Sequence, residues 1–381
     1  MRRRICVVLP AHWSATRGGA EYQAKLLVEH LVANYDVEVF YLTTRAASDY
    51  RPRGYEIVQF SSSRGIRRYG TFFDAVRLYR ALRALRPDIV YQQVGCAHTG
   101  IAAFYARRNG CRMVWRVAND NTLVALRTRW WQIHRRIERR VMRYGIENAD
   151  LVLAQTRAQR RLLADGFGRD DAIVIPNFHP PARELGAVPR PDRKRVVWIA
   201  NLKTSKNPYA FLRLAERVRA RADVEPVMIG ATSDATRWTQ ELLAAIRAAS
   251  VTYLGGLEQH EVAAVLAGAT VLVNTSEHEG FANTFIEAWM HGVPVAALHV
   301  DADGLLGEGG LGSVAHGSEQ ALYADVSRLL DDPDLAARIG ARGREHVRAA
   351  HSMANVDKLA RVLELDRVAT PAFEQVAYAT P

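Results

Sequence analysis

Apolar residues recur along this chain in short runs separated by longer amphipathic stretches. The runs ICVVLP (5–10), VEVFYLTT (37–44), DIVYQQ (88–93), CRMVWRV (111–117), DLVLAQT (150–156) and AIVIPNF (172–178) are rich in β-branched side chains, the pattern of buried strands. Stretches between them, such as AEYQAKLLVEHLVAN (20–34), have helical periodicity. A repeated strand–helix alternation predicts a parallel sheet covered by helices on both faces. The segment PNFHPPARELGAVPRPDRKR (176–195) holds five prolines and breaks the pattern, so it reads as a linker. The alternation then restarts with VVWIAN (196–201), EPVMIG (225–230), VTYLGG (251–256), ATVLVNT (269–275) and PVAALHV (294–300), and helical segments dominate after residue 317.

The expected fold class is therefore α/β, with two doubly wound domains facing each other across a cleft and ligands bound outside the carboxyl ends of the strands. The expected boundaries are a first domain over 1–180, a linker over 181–195 and a second domain over 196–355. A C-terminal helix over 356–381 is expected to pack back on the first domain.

One block, SEHEGFANTFIEAWMHGVPV (276–295), places two carboxylates, Glu279 and Glu287, eight positions apart. It follows a buried strand, and Thr284-Phe285-Ile286-Glu287 fits a capping box with Thr284 as N-cap and Glu287 in the first helical turn. Gly292 ends that helix. The unit is strand, loop, helix, strand, with unpaired backbone N–H groups at the helix N-terminus suited to a phosphate. Glu279 lies in the loop, and Gly280 lets a ligand approach the backbone.

Composition adds bounds. The 381 residues are 49% hydrophobic and 24% charged, which suits an ordinary folded protein of two or three domains. No apolar run approaches the roughly 18 residues that span a bilayer. The start, MRRRICVVLPA, imitates a signal peptide, but its apolar run is short and ends at Pro10, so a first strand is the expectation. Cys6, Cys96 and Cys111 follow no metal spacing, and so sparse and odd a count suits a reducing, cytoplasmic setting.

The net charge of +11 is uneven: residues 1–195 carry +18 and residues 196–381 carry −7. A strongly basic first half implies an anionic partner. The segment RTRWWQIHRRIERRVMRY (127–144) puts Trp130, Ile133, Ile137, Val141 and Tyr144 on one helical stripe. Arg129, Arg135, Arg136, Arg139, Arg140 and Arg143 lie around it, and RGIRRYGTFF (64–73) is a second basic, aromatic patch. Two readings stand: a helix docked on the sheet with solvated arginines, or a surface held on the anionic inner face of a cytoplasmic membrane. No nucleic-acid motif accompanies the charge, and no nucleic-acid partner is expected.

The acidic block resembles the E-x7-E motif of the retaining nucleotide-sugar glycosyltransferases of family 4, which have the GT-B fold. Gly18-Gly19-Ala20-Glu21 resembles the family's GG-x-E loop, Ile175-Pro176-Asn177 its I-P-N, and YLGGLEQHEVAAVLAGATVLVNTS the run ahead of the acidic motif. The resemblance spans nearly the whole chain and is most specific in its second half. It implies a first domain for the acceptor and a second for a UDP- or GDP-linked sugar. It implies that Glu287 accepts from the ribose hydroxyls and Glu279 contacts the donor sugar. Gly280, Phe281, Ala282, Asn283 and Thr284 would hold sugar and phosphate, with Leu257, Gly18 and Gly19 also on the donor.

The family's Arg and Lys for the diphosphate correspond here to Asn201 and Lys206, with Lys203 a further cation. An Asn gives only a neutral hydrogen bond where the arginine gives a charged one. Where the family often carries a catalytic His, this chain has Asn119 and Asp120, and Asp120 is the candidate there; His98 is a second candidate near a strand end. No metal and no cofactor are implied. The Gly307–Gly312 match to G-x-G-x-x-G, the Asp301-Ala302-Asp303 match to D-x-D and the His260-Glu261 pair are weak and are assigned no role. The implied activity is transfer of a hexose to a saccharide or lipid-linked saccharide in cell-surface polysaccharide synthesis. Two alternatives remain: a GT-B nucleotide-sugar epimerase, and a catalytically silent sugar-nucleotide-binding subunit.

Overall fold

A computed structural model describes residues 2–61, 70–124, 133–182, 192–232 and 235–368. The 64–69 part of the basic patch, Trp130, the middle of the linker and the chain beyond 368 lie outside these residues. The chain divides into two units: Met1–Phe178 with Met353–Pro381, and His179–Ser352.

The first unit runs β1 (Arg3–Val8), α1 (Gly19–Asn34), β2 (Val37–Thr43), β3 (Glu56–Gln59), α2 (Gly70–Leu85), β4 (Ile89–Gln93) and α3 (Ala97–Asn109). It continues with β5 (Arg112–Arg116), α4 (Ile133–Glu147), β6 (Leu151–Ala154), α5 (Arg157–Phe167) and β7 (Ile173–Val174). The strands form one parallel sheet in the order β3-β2-β1-β4-β5-β6-β7. Successive residues of β1 fall on opposite faces. Ile5 and Val7 join an apolar cluster with α1, while Cys6 and Val8 join a second one with Leu78 of α2 and Ala102 of α3. Both faces are thus buried, as a parallel sheet requires.

Helices α3 and α4 touch through glycines. A Cβ on Gly100 would stand 2.1 Å from the Val141 carbonyl oxygen, and one on Gly145 would stand 2.4 Å from the Thr99 carbonyl carbon. A larger residue at either position would push α4 off α3.

The second unit runs β8 (Lys194–Ile199), α6 (Pro208–Val218), β9 (Val224–Ile229), α7 (Arg237–Ala248), β10 (Thr252–Tyr253), α8 (Gln259–Ala267) and β11 (Ala269–Asn274). It continues with α9 (Asn283–Met290), β12 (Val295–Ala297), β13 (Gly312–Val314), α10 (Glu319–Asp331) and α11 (Pro333–Ala350). Its parallel sheet has the order β10-β9-β8-β11-β12-β13. Chain order reverses between β8 and β11, and a crevice opens at such a switch point outside the carboxyl ends of the strands.

After Ser352 the chain rejoins the first unit as α12 (Ala354–Val362), whose Val356, Leu359 and Ala360 pack in the same cluster as Leu27 and Leu31 of α1. Two strands escape the sequence pattern, β3 and β13. Both are short edge strands with partly exposed residues, so neither carries a buried apolar run.

Candidate active site

The loops that leave β8 and β11 meet at the switch point of the second sheet. After β8 the chain passes Ala200, Asn201 and Leu202, then makes a 3-10 turn over Thr204–Lys206. Asn207 takes a left-handed conformation (φ 45°, ψ 56°), and Pro208 opens α6 at its first position. Asn tolerates that conformation better than most residues, and proline suits a first helical turn.

After β11 come the buried Thr275 and Ser276. Trp198 Nε1 of β8 donates to Thr275 Oγ1 at 2.9 Å, and Thr275 Oγ1 donates to the Lys206 carbonyl at 2.7 Å. The Glu277 N–H donates to the Ser205 carbonyl at 3.1 Å. These bonds fix one loop against the other. They bring Lys206 Nζ onto Glu279 Oε1 as a charged pair, and Ser276 Oγ donates to the same oxygen at 2.8 Å. Both side chains of the pair are mostly covered, at 24% and 16% exposure.

Helix α9 starts at Asn283 with Ala282 as N-cap and no capping side chain. The expected capping box is therefore absent, and Glu287 lies in the second turn instead of the first. Thr284 is inside the helix, because backbone contacts of the preceding loop start it earlier than the Thr-x-x-Glu spacing suggests: the Phe285 N–H already donates to Ala282 O at 3.0 Å. Glu287 is half-buried, and burial pushes its carboxyl up to about 7. Among the described residues it has no hydrogen-bonding partner.

The descriptions "Glycosyltransferase Family 4" and "Glycosyl transferases group 1" match residues 17–183 and 193–332. The chain belongs to glycosyltransferase family 4. It is 26% identical over 224 residues to a D-inositol 3-phosphate glycosyltransferase of Stackebrandtia nassauensis, a match covering 53% of this chain and 51% of that protein. The matched chain thus spans about half the length of this curated relative. WaaG, a glycosyltransferase involved in lipopolysaccharide biosynthesis, superposes with a TM-score of 0.77 at 14% identity over 94% of this chain and 99% of its own. Anabaena HepE in complex with UDP-glucose superposes with a TM-score of 0.75 at 15% identity over 95% and 99%. At such identities these likenesses establish the fold, which is GT-B.

In this family 4 chain, the structure brings Lys206 and Glu279 into contact. It sets Asn201 and the exposed Lys203 on the same loop as Lys206. Gly280, Phe281 and Ala282 are buried between Glu279 and α9, Asn283 and Thr284 open that helix, and Leu257 follows β10 among Val197, Val227 and Ile229.

The remaining candidates belong to the first unit. Gly18 is the N-cap of α1 and Gly19 its first residue; a Cβ on Gly18 would stand 2.2 Å from Glu21 Oε2, so the glycine makes room for that carboxylate. Asp120 opens a 3-10 turn after β5 and accepts from Gln159 Nε2 at 2.9 Å. His98 is buried edge-on against Phe60, and burial lowers its pKa, as for a core histidine.

Asp301 is a loop staple: its carboxylate accepts from the N–H groups of Leu306 at 2.8 Å and Gly307 at 3.3 Å. No group of three or more His, Cys, Asp or Glu arranged for a metal occurs among the described residues. Sequence reasoning did not single out Ser276, Thr275 or Trp198, the side chains that hold the pair in place. Their one signal was the Thr-Ser step at the end of a buried strand.

Proposed function

We propose that this chain is a retaining, metal-independent glycosyltransferase that moves a hexose from a nucleoside diphosphate to a saccharide or lipid-linked saccharide, in the making of a cell-surface polysaccharide. The observation that carries the reading is the Lys206–Glu279 pair at the sheet's switch point, with a half-buried Glu287 carboxyl, unpartnered among the described residues, eight positions further along the chain. A nucleotide sugar has groups to match. Its ribose hydroxyls donate to Glu287, its diphosphate meets the α9 N-terminus and Lys206, and its sugar hydroxyls donate to Glu279. Catalysis is then electrostatic, because Lys206, assisted by Lys203 and Asn201, stabilises the diphosphate as it departs. The acceptor belongs to the first unit in this reading, while Gly18 and Gly19 keep the donor role and Asp120 the catalytic role that the resemblance implies.

An anionic membrane surface is the further partner in this reading. Helix α4 carries Arg136 and Arg140 exposed beside Ile137, which is itself 56% exposed. No described helix is long and apolar enough to cross a membrane, so contact would be peripheral.

A thermal-shift series with UDP, GDP and ADP tests the donor site. A nucleotide at 100 times its Kd stabilises by about 2.7 kcal/mol. Release of free sugar from the matching donor without acceptor would distinguish an enzyme from a silent binding subunit. No shift with any nucleotide overturns the reading.

A further inference from the structure

A chain of hydrogen bonds in the first unit leads from a buried histidine to a half-buried tyrosine. It lies at the carboxyl end of the β1–β2 pair, where Ala11 bridges Arg45 and the His12 N–H donates to Arg45 O at 2.8 Å. The segment continues directly to Gly18 at the start of α1. His12 is fully buried, and burial holds its pKa down to about 4, so the ring is neutral at physiological pH.

The tautomer follows from its neighbours. The Ser14 backbone N–H donates to His12 Nδ1 at 3.1 Å, and Ser14 Oγ lies 2.8 Å from the same nitrogen while accepting from the Ala47 N–H at 3.0 Å. Nδ1 therefore carries the lone pair and Nε2 the proton. Nε2 donates to Tyr55 Oη at 3.1 Å, and Tyr55 donates to Tyr50 Oη at 3.2 Å. Trp13 Nε1 donates to the same Tyr50 oxygen at 3.3 Å. The Tyr50 oxygen thus receives two hydrogens. Its own hydrogen has no acceptor in the network and is left for something outside it.

Trp13 and Tyr50 are half-buried, so part of each ring meets solvent. The Trp13 indole is braced by the His12 ring at 3.9 Å and by Tyr41 edge-on at 5.1 Å. A fixed aromatic surface beside a phenol obliged to donate suits a neutral polyhydroxylated ring, whose C–H groups pack on the aromatics and whose oxygen accepts the hydrogen.

We infer that Trp13 and Tyr50 form a saccharide-binding element that holds the sugar acceptor at the carboxyl end of the first sheet, with His12 and Tyr55 as positioning residues beneath it. The inference rests on the reading that this unit takes a sugar acceptor.

Methyl α-glucopyranoside and methyl α-mannopyranoside are the probes, with saturation-transfer NMR as the readout and UDP affinity measured in parallel. Wild type transfers saturation to pyranoside protons. Tyr50→Phe raises the pyranoside Kd at least fivefold, Trp13→Leu raises it further, and Trp13→Phe keeps most of the affinity. UDP affinity is unchanged in all three. In wild-type protein labelled with 5-fluorotryptophan, the Trp13 fluorine signal moves on pyranoside addition, a readout that needs no destabilised variant. The inference is overturned if neither pyranoside binds wild type, if Tyr50→Phe binds as wild type does, or if the Trp13 signal stays still. Loss of UDP binding alone would count against the donor reading and leave this result standing.

Discussion

Lys206 and Glu279 neutralise each other across the two loops that flank the switch point of the second sheet. If Lys206 serves a leaving diphosphate, as proposed, its ammonium is already paired in part, and a diphosphate competes with Glu279 for it. In the proposed reading, replacing Lys206 by Ala removes the charge that stabilises the departing diphosphate. We expect kcat to fall about a hundredfold to a thousandfold while KM for the donor changes only a few-fold. Glu279→Gln should act in opposite directions on binding and turnover. It frees Lys206, so UDP binds more tightly, yet it weakens the contact to the transferred sugar, so kcat falls. Steady-state kinetics and calorimetric UDP titration check both. Wild-type kcat in Lys206→Ala would move the leaving-group role to Lys203.

Glu287 links pH to stability and, in the proposed reading, to nucleotide binding. Its carboxyl titrates at about 7 in the folded chain against an ordinary 4.5, because burial disfavours the charged form. Between those values the folded state holds a proton that the unfolded state has lost. Stability therefore falls as pH rises through that window, by roughly 3 kcal/mol in full, and levels off above it. Glu287→Gln should flatten this slope in urea titrations from pH 5 to 8. Ribose hydroxyls favour the ionised carboxylate, so UDP binding below pH 7 should release a proton and tighten as pH rises toward 7. Calorimetry in buffers of different ionisation enthalpy measures that proton. Equal UDP affinity for wild type and Glu287→Gln would remove the ribose role.

The alternation of apolar runs and helical stretches made the two α/β units legible, because buried parallel strands are apolar on both faces. It could not reveal β3 or β13, whose residues are half-wet edges. Glu279, Glu287 and Lys206 entered as candidates through their place in the family's motifs. The bonds that join the loops of Lys206 and Glu279 were not legible, since Trp198 meets Thr275 across 77 residues and no local pattern encodes that contact. The capping box failed for a related reason: the loop before α9 starts the helix at Asn283, ahead of the threonine that local chemistry favours.

Gln23 provides a test of the first unit's long-range wiring. Its side-chain amide donates to the Phe178 carbonyl at 2.8 Å and accepts from the Phe178 N–H at 3.0 Å, all buried. It replaces a missing strand partner for one residue, 155 positions away. Gln23→Leu keeps the volume and leaves both backbone groups unpaired. Unfolding in guanidinium should show a loss of about 2–4 kcal/mol. A loss under 0.5 kcal/mol would mean that the Phe178 peptide finds other partners.

The stripe expected over Trp130–Tyr144 divides in the structure, and the division sets the membrane test. Val141 packs on Gly100, and Tyr144 lies against the core. Ile137 on the same side is 56% exposed, with Arg136 and Arg140 exposed on either side of it. Arg143 is ion-paired with Glu147 and stacked on Phe167, so it serves the fold. This stretch of α4 therefore offers an exposed apolar side chain between two exposed basic ones, the composition that lies on an anionic bilayer. Each basic residue near such a surface contributes about 1 kcal/mol. Arg136→Gln with Arg140→Gln should weaken binding to phosphatidylglycerol vesicles roughly thirtyfold, and Ile137→Asn should weaken it independently of salt. Wild-type binding should fade between 0.1 M and 1 M salt as the Debye length falls from about 10 Å to about 3 Å. UDP affinity should be untouched throughout. Co-sedimentation with anionic and neutral vesicles measures all of this. Wild type that ignores anionic vesicles at low salt would make α4 a solvated face and remove the membrane partner.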